Sequence, residues 1–217
     1  TRAYLDVADD EDMWIVGGIT GTTDGWFVRA SAFFRRDAGG SDTDLPPLQR
    51  VRLFHVDESR DLEPAGFYFE HQPPGRMVGV FFVRPPFSAT PRMAMDGLGR
   101  THVVEGGEYV IDVYGWSGEL LHRIDNEIER DPVTRADLER WREDRACRPG
   151  QPECDESRTE LALSMEIPEY EPVVARMVAF PSGHLAVLRG GTDPDPDDSL
   201  VMGEYDVFDP DGRFVGR

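Results

Sequence analysis

Residues Arg92–Gly107 read RMAMDGLGRTHVVEGG, and Arg176–Gly191 read RMVAFPSGHLAVLRGG. The two segments align without a gap, and six of the sixteen pairs are identical, including the first two residues and the two final glycines. After an insertion in the later copy, Ile111–Tyr114 (IDVY) and Tyr205–Phe208 (YDVF) continue the similarity. Self-similarity on this scale predicts a repeat architecture.

Each copy is predicted to form four antiparallel strands joined by tight turns. Asp96-Gly97 and Ser117-Gly118 supply turn residues between the apolar segments of the second copy. Gly25, Gly99 and Gly183 fall at the same turn of three copies, where a positive φ costs glycine least. The predicted strands are Arg92–Met95, Thr101–Glu105, Tyr109–Tyr114 and Glu119–Ile124 in the second copy, Val173–Ala179, His184–Arg189, Met202–Phe208 and Arg213–Arg217 in the third, and Met13–Gly18, Trp26–Arg35, Gln49–Val56 and Asp61–Glu70 in a diverged first copy.

Four antiparallel strands that recur along a chain are typical of β-propeller blades. Pro91–Leu120 resembles a blade of the NHL type, and Tyr205–Arg213 (YDVFDPDGR) resembles the late-blade signature of bacterial six-bladed propellers of the NHL-like or TolB-like kind. The resemblance implies an all-β fold with propeller blades in an incomplete ring, and a parent protein with about six blades. The expected blades of this single partial domain, residues 1–217, are about 13–70, 91–124 and 173–217.

Residues 125–172 depart from the strand pattern and are predicted to form a helical hairpin inserted between two blades. Thr134 is expected to cap a first helix over Arg135 to about Ala146, with Asp137 as the acidic residue of a capping box. A second helix is expected over Ser157–Met165. The insertion therefore adds a helical element to a β scaffold.

The overall charge excludes some classes of partner. The net charge of −19 arises from 42 acidic and 23 basic residues, and all of the basic residues are arginines. Nucleic-acid binding needs basic surface that releases counterions from phosphates, so it is not expected. Anionic membranes are disfavoured for the same reason, and no apolar run reaches the length of about 20 residues that spans a bilayer.

Cys147 and Cys154 flank a Pro-Gly turn. Two thiols on either side of such a bend predict a disulfide, and hence a periplasmic or extracellular protein. The alternative is a pair of free thiols in a cytosolic protein. Their spacing does not fit a zinc site.

An acidic loop is a candidate calcium site. Asp193, Asp195, Asp197 and Glu204 occupy loop positions one, three, five and twelve, as carboxylate ligands do in calcium loops. Asp198 stands where such a loop needs glycine. A solvated acidic turn is therefore favoured over calcium, and no cofactor is expected.

No motif for nucleophilic, acid–base or metal catalysis is recognisable. Structural roles are the default for the five histidines: His55, His71, His102, His122 and His184. The leading hypothesis is a non-enzymatic module that binds a protein or small-molecule ligand. One alternative is a propeller hydrolase of the metal-dependent lactonase type, for which Asn126 is the one asparagine in the chain. The other alternative is a structural scaffold.

Strand connectivity predicts where binding occurs. In an antiparallel blade the connections after the second and fourth strands leave from one end, so Asp37–Pro47, Thr192–Val201 and the helical hairpin are expected on one face. Function concentrates on long loops held by a rigid scaffold. The first helix is expected to bury Leu138 and Trp141 and to serve as a lid or docking element. The candidate binding residues are Arg35, Arg36, Glu105, Trp141 and Arg189.

Overall fold

The structure is a computed structural model. It describes residues 4–5, 14–22, 25–34, 48–56, 62–71, 74–78, 81–145, 156–190 and 204–217. These ranges are mostly β, with two helices. The expectation of antiparallel four-stranded units with a helical insertion is confirmed for the second and third copies, whereas the sheet of the first copy has five strands; the arrangement is compatible with an incomplete ring.

Three antiparallel sheets follow one another along the chain, each a meander of consecutive strands. The first sheet comprises β1 (Tyr4–Leu5), β2 (Trp14–Thr22), β3 (Gly25–Phe34), β4 (Leu48–Val56) and β5 (Leu62–His71). The second comprises β8 (Arg92–Met95), β9 (Thr101–Val104), β10 (Val110–Tyr114) and β11 (Leu120–Asp125), and the third β12 (Val174–Ala179), β13 (Leu185–Arg189), β14 (Tyr205–Phe208) and β15 (Phe214–Gly216). A hairpin that the sequence did not predict, β6 (Arg76–Val78) with β7 (Phe81–Val83), lies between the first two sheets in the chain.

The second and third sheets have the same strand register, as the sequence repeat predicts. Arg92 lies opposite Val104 in the second sheet, and the equivalent Arg176 lies opposite Leu188 in the third. A bulge interrupts β10–β11 and β14–β15 at the equivalent position. Because a slip of one residue would turn every side chain to the other face, the shared register places equivalent residues of the two copies on equivalent faces.

Four tight turns of one geometry close the hairpins of these two sheets. In each, the first residue accepts a hydrogen bond from the fourth and donates its own N–H to the carbonyl of the fifth. The fourth residue is a glycine with positive φ, a conformation that costs other residues about 1 kcal/mol or more. These glycines are Gly99 (77°), Gly118 (91°), Gly183 (86°) and Gly212 (80°). The prediction for Gly99 and Gly183 is confirmed.

The main core lies between the second and third sheets. Its buried side chains come from both sheets and their flanking loops: Val104, Tyr109, Ile111, Val113, Ile124, Val173, Val174, Leu185, Val187 and Phe208. β9 is buried on both faces, since Val104 joins this core while Val103 packs with Phe69 of β5. The second sheet is therefore packed between its two neighbours in the chain.

Gly97 lies at the closest approach of the second and third sheets. Its N–H donates to the carbonyl of Phe180 (3.3 Å), and a Cβ at this position would lie 2.6 Å from the Cα of Pro181. Backbone atoms cannot move aside as a flexible side chain can. Glycine is therefore required here by contact between the turns.

We expect Gly97→Ala to lower the free energy of unfolding by about 2–3 kcal/mol, because the methyl group forces the two turns apart. Gly107→Ala is the matched control, since a Cβ at Gly107 meets nothing within 4 Å. Urea unfolding of both variants would measure the difference. Equal stability of the two variants would contradict this contact.

The helical insertion contains α1 (Arg135–Asp144) and α2 (Glu156–Ser164). The predicted capping box of Thr134 and Asp137 is present. The expected burial of Leu138 and Trp141 is wrong: both are half-buried, and none of the residues of α1 is buried. Trp141 lines a cavity, described below, and does not enter the core of a sheet.

The insertion closes on itself at its base. The N–H of Val133 donates to the carbonyl of Glu169 (2.9 Å), and the N–H of Glu171 donates to that of Asp131 (2.9 Å). These bonds flank a bridge between Pro132 and Tyr170. The two ends of the helical pair therefore leave the sheets side by side.

Candidate ligand-binding cavity

A cavity of about 800 Å³ lies between the helical insertion and the beginnings of β8 and β12. Its wall combines apolar and charged side chains from three separate parts of the sequence: Val83, Arg84, Pro85, Phe87, Ser88, Thr90 and Arg92; Asp137, Arg140, Trp141, Asp144, Arg145, Arg158, Thr159 and Ala162; and Glu171, Pro172, Val174 and Ala175. Pockets for small molecules commonly enclose about 300–1,000 Å³. The cavity is therefore large enough for such a ligand.

The cavity lies at what we call the loop end of the sheets, where the connections after β9, β11 and β13 leave. The hydrogen bonds of Val173, just before β12, show this convergence. Its N–H donates to the carbonyl of Gly107, and its carbonyl accepts from the N–H of Gly190, both at 3.3 Å. The four tight turns close the opposite end, the turn end. The helical insertion thus lies at the end where strand connectivity predicted the binding surface.

Five arginines and three acidic residues line the cavity, in contrast to the strong negative charge of the whole chain. Arg84, Arg92 and Arg158 are half-buried in the wall, and Arg140 and Arg145 are exposed. Arg84 donates to the Thr90 hydroxyl (3.0 Å). The cavity wall is therefore locally basic within an acidic protein.

Two of the three acidic side chains in the wall have pKa values shifted from their ordinary values. Asp137 accepts from the N–H and hydroxyl of Thr134 at the start of α1, and the hydrogen bond from the hydroxyl lowers its pKa. Burial, with the nearby charges of Asp137 and Asp131, raises the pKa of Glu171. Asp137 is therefore held in its charged form, 3.5 Å from Arg140, whereas the surroundings of Glu171 disfavour its charged form.

Arg145 and Trp141 form a stacked pair at the end of α1. The guanidinium carbon of Arg145 lies 4.3 Å from the centre of the Trp141 ring, a favourable cation–π distance. Desolvation lowers the pKa of Arg145, and the charge of Asp144 partly offsets this. Arginine remains charged at neutral pH, so the pair offers a cation and an aromatic face to the same cavity.

Phe87 adds a strained residue to the cavity wall. Its φ is 57°, and within the described residues it is the one non-glycine residue with positive φ. The turn that contains Phe87 is closed by a hydrogen bond from the Ser88 N–H to the Pro85 carbonyl (3.4 Å). Bulky residues in this conformation cost about 1 kcal/mol or more and cluster at functional sites.

A buried cluster around Asp206 lies beside a second, smaller cavity of about 400 Å³. The Asp206 carboxylate accepts from Arg189 Nε (2.5 Å), Arg217 Nε (2.9 Å) and the Tyr109 hydroxyl (3.1 Å). Burial alone would raise the pKa of Asp206, but these hydrogen bonds outweigh it and lower the pKa. Burial also raises the pKa of Tyr109. The cluster joins the second sheet to the third.

A second buried carboxylate lies at the turn end. Asp96 accepts from the backbone N–H of Leu98 (2.9 Å) and Arg100 (3.1 Å), from Arg100 Nε (2.8 Å) and from the His102 ring (3.1 Å). Arg100 also donates to the carbonyls of Gly183 (2.9 Å) and Pro210 (2.5 Å) in the third sheet. These bonds explain His102 as a structural histidine, as expected.

The predicted binding residues do not form one site. Trp141 lines the larger cavity, whereas Arg189 is bound to Asp206 and lines the smaller one. Glu105 is exposed and lines neither cavity. Arg35 and Arg36 lie outside the described residues.

The calcium and disulfide predictions fall almost entirely outside the described residues. Glu204 is exposed, with its carboxylate 4.0 Å from Arg217. Among the residues that the structure describes, no group of three or more histidine, cysteine or acidic side chains could hold a metal ion. The others lie outside the described ranges: Asp193, Asp195, Asp197, Cys147 and Cys154.

Sequence reasoning missed the cavity arginines Arg84, Arg92, Arg140, Arg145 and Arg158. A weak signal was present in Arg84–Arg92 (RPPFSATPR), where two arginines flank a proline-rich segment before the second sheet. The helical arginines carry no comparable signal, because charged residues on an exposed helix face are ordinary.

Comparison of the chain with models of protein families, with curated proteins and with solved structures gave no match. In the part of the chain that the structure describes, no helix is both long and apolar enough to cross a membrane.

Proposed function

We propose that this chain is part of a β-propeller of the NHL-like or TolB-like kind, and that it binds a small molecule between its helical insertion and its sheets without catalysing a reaction. The observation that carries the proposal is the cavity of about 800 Å³ at the loop end. Its apolar side chains can contact the apolar part of a ligand, and its charged side chains can orient it. The strained Phe87 in the same wall supports a functional role.

The propeller assignment is supported by how the sheets repeat and pack. Equivalent registers in the second and third sheets are expected of blades that repeat one design. The burial of β9 on both faces is expected of a blade between two others. We further propose a disulfide between Cys147 and Cys154 and a periplasmic or extracellular location.

The helical insertion can be removed at its base to test the site. Because residues 131–133 pair with 169–171, replacing 134–168 by a short Gly-Ser turn should retain the sheets. We would dialyse the wild-type and shortened proteins against one defined mixture of small metabolites and measure bound compounds by mass spectrometry. The wild type should retain at least one compound that the shortened protein does not, with similar β-sheet circular dichroism and melting temperature.

Two tryptophan variants test whether the retained compound binds in the cavity. Trp141→Ala should reduce retention, since Trp141 lines the cavity. Trp116→Ala should not, because Trp116 is 53% exposed in a turn at the other end of the sheets. Equal retention by the wild-type and shortened proteins would show that this cavity is not the site.

A further inference from the structure

The charge of the cavity identifies a ligand class. Five arginines face three acidic residues in a chain with a net charge of −19. Asp137 caps α1 and lies 3.5 Å from Arg140, so these two charges offset each other. Over the whole wall, five arginines against three acidic residues leave an excess of positive charge, although the field of the whole protein repels anions at long range. Such local enrichment of arginine is suited to an oxyanion.

We propose that the cavity binds a small organic anion that carries carboxylate or phosphate oxygens together with an apolar group. Guanidinium groups bind both oxyanions through paired, charge-assisted hydrogen bonds. The apolar group would lie against the wall that includes Val83, Phe87 and Trp141. This inference rests on the proposed function, because it names the ligand class of the same cavity.

Arg145 is the arginine best placed to test the inference. Its guanidinium is stacked on Trp141, and among the described residues no carboxylate lies within ion-pair distance of it. Under this proposal its guanidinium binds the anion while the ring orients it. By contrast, Arg142 on the same helix is paired with Glu160 of α2, and Arg135 is paired with Glu139 (2.9 Å).

The experiment uses probes that share a benzene ring but differ in charge. Isophthalate is a dianion, isophthalamide is neutral and meta-xylylenediamine is a dication, while phenyl phosphate replaces carboxylate by phosphate. We would measure their dissociation constants for the full chain by isothermal titration calorimetry. At least one of isophthalate and phenyl phosphate should bind at least about tenfold more tightly than the amide and the diamine.

Arg145→Gln should weaken binding of the anion roughly tenfold and leave any binding of the amide unchanged, since it removes one charge-assisted contact. Arg135→Gln is the matched control, because it removes the same charge from the same helix at a side chain that is 92% exposed and outside the cavity. Melting temperatures would check that both variants fold.

The outcomes separate this inference from the proposed function. Equal weakening by the two variants would overturn the assignment, because the effect would then come from overall charge. Tighter binding of the amide or diamine, or no binding of either anion at millimolar concentration, would overturn the anionic class. Retention of neutral or cationic metabolites in the dialysis experiment, lost with residues 134–168, would leave the binding function standing and overturn only the ligand class.

Discussion

Replacing Asp96 by alanine is expected to lower the free energy of unfolding by about 3–5 kcal/mol, the largest effect of any change proposed for this chain. Asp96 is fully buried, and its carboxylate accepts hydrogen bonds from two backbone amides and from the side chains of Arg100 and His102. Removal of the Asp96 carboxylate leaves the Arg100 guanidinium without its ion-pair partner, although the Arg100 side chain is only 13% exposed. Arg100 is also the side chain that joins the turns of the two sheets.

Asp209→Ala is the matched control for Asp96→Ala. Asp209 begins the turn between β14 and β15, which has the same geometry, and accepts from the N–H of Asp211 (3.0 Å) and of Arg213 (2.9 Å). Because these are local bonds at a half-buried site, we expect a loss of about 1 kcal/mol. Urea unfolding would compare the two variants. A similar loss in both would mean that the links to Arg100 and His102 contribute little.

The contribution of Asp96 should also depend on pH. Burial alone would raise its pKa, but hydrogen bonds from His102 and Arg100 outweigh this and hold the pKa below the ordinary value. A lowered folded-state pKa stabilises the protein fully above the unfolded pKa of about 3.9. This stability is lost as the pH falls through the folded pKa. The stability of Asp96→Asn should therefore fall less steeply than that of the wild type below about pH 4.

Replacing Asp206 by alanine is expected to cost about 3 kcal/mol, because three donors lose a shared buried acceptor. The Asp206 side chain is 1% exposed, whereas Arg189 and Arg217 are 30% and 47% exposed and can turn to water. The Tyr109 hydroxyl cannot turn to water, because Tyr109 is buried between the sheets. The loss should therefore be large but smaller than that for Asp96.

Asp112→Ala tests the same repeat position in the second sheet. Asp112 binds Arg123 through two hydrogen bonds of 2.6 and 2.9 Å, but the Asp112 side chain is 16% exposed, against 1% for Asp206. Ion pairs of this kind contribute at most about 1 kcal/mol. Thermal or urea unfolding of the two alanine variants should therefore give clearly different losses. Equal losses of unfolding free energy in the two variants would show that the position in the repeat, and not burial, determines the contribution of the aspartate.

Local features of the fold were predictable from the sequence. The strands of the repeat, the turns at Gly99 and Gly183 and the capping box at Thr134 are present as predicted. Each depends on the conformation and hydrogen bonding of residues close together in the chain. A repeated pattern also requires that its copies share a register, which is why the second and third sheets could be aligned without a structure.

Equivalent positions of the repeat nevertheless differ in ways that the pattern did not predict. Asp96 corresponds to Phe180, which is 42% exposed, and Asp112 and Asp206 make the same cross-strand pair in different surroundings. The half-burial of Trp141 likewise differed from the expectation drawn from its helix. Burial depends on what packs against each face, and that information is not contained in the periodicity of one strand or helix.

The sequence by itself determined the repeat, its turns and the place of the helical insertion, because short-range conformational preferences dictate these features. Only the tertiary structure decided which charged residues share a site. Arg84 and Arg92 precede the second sheet, while Arg145 and Arg158 belong to the insertion, and the cavity brings them together. Contacts between residues so far apart in the chain are fixed by the packing of sheets and helices against one another, which spacing along the sequence does not encode.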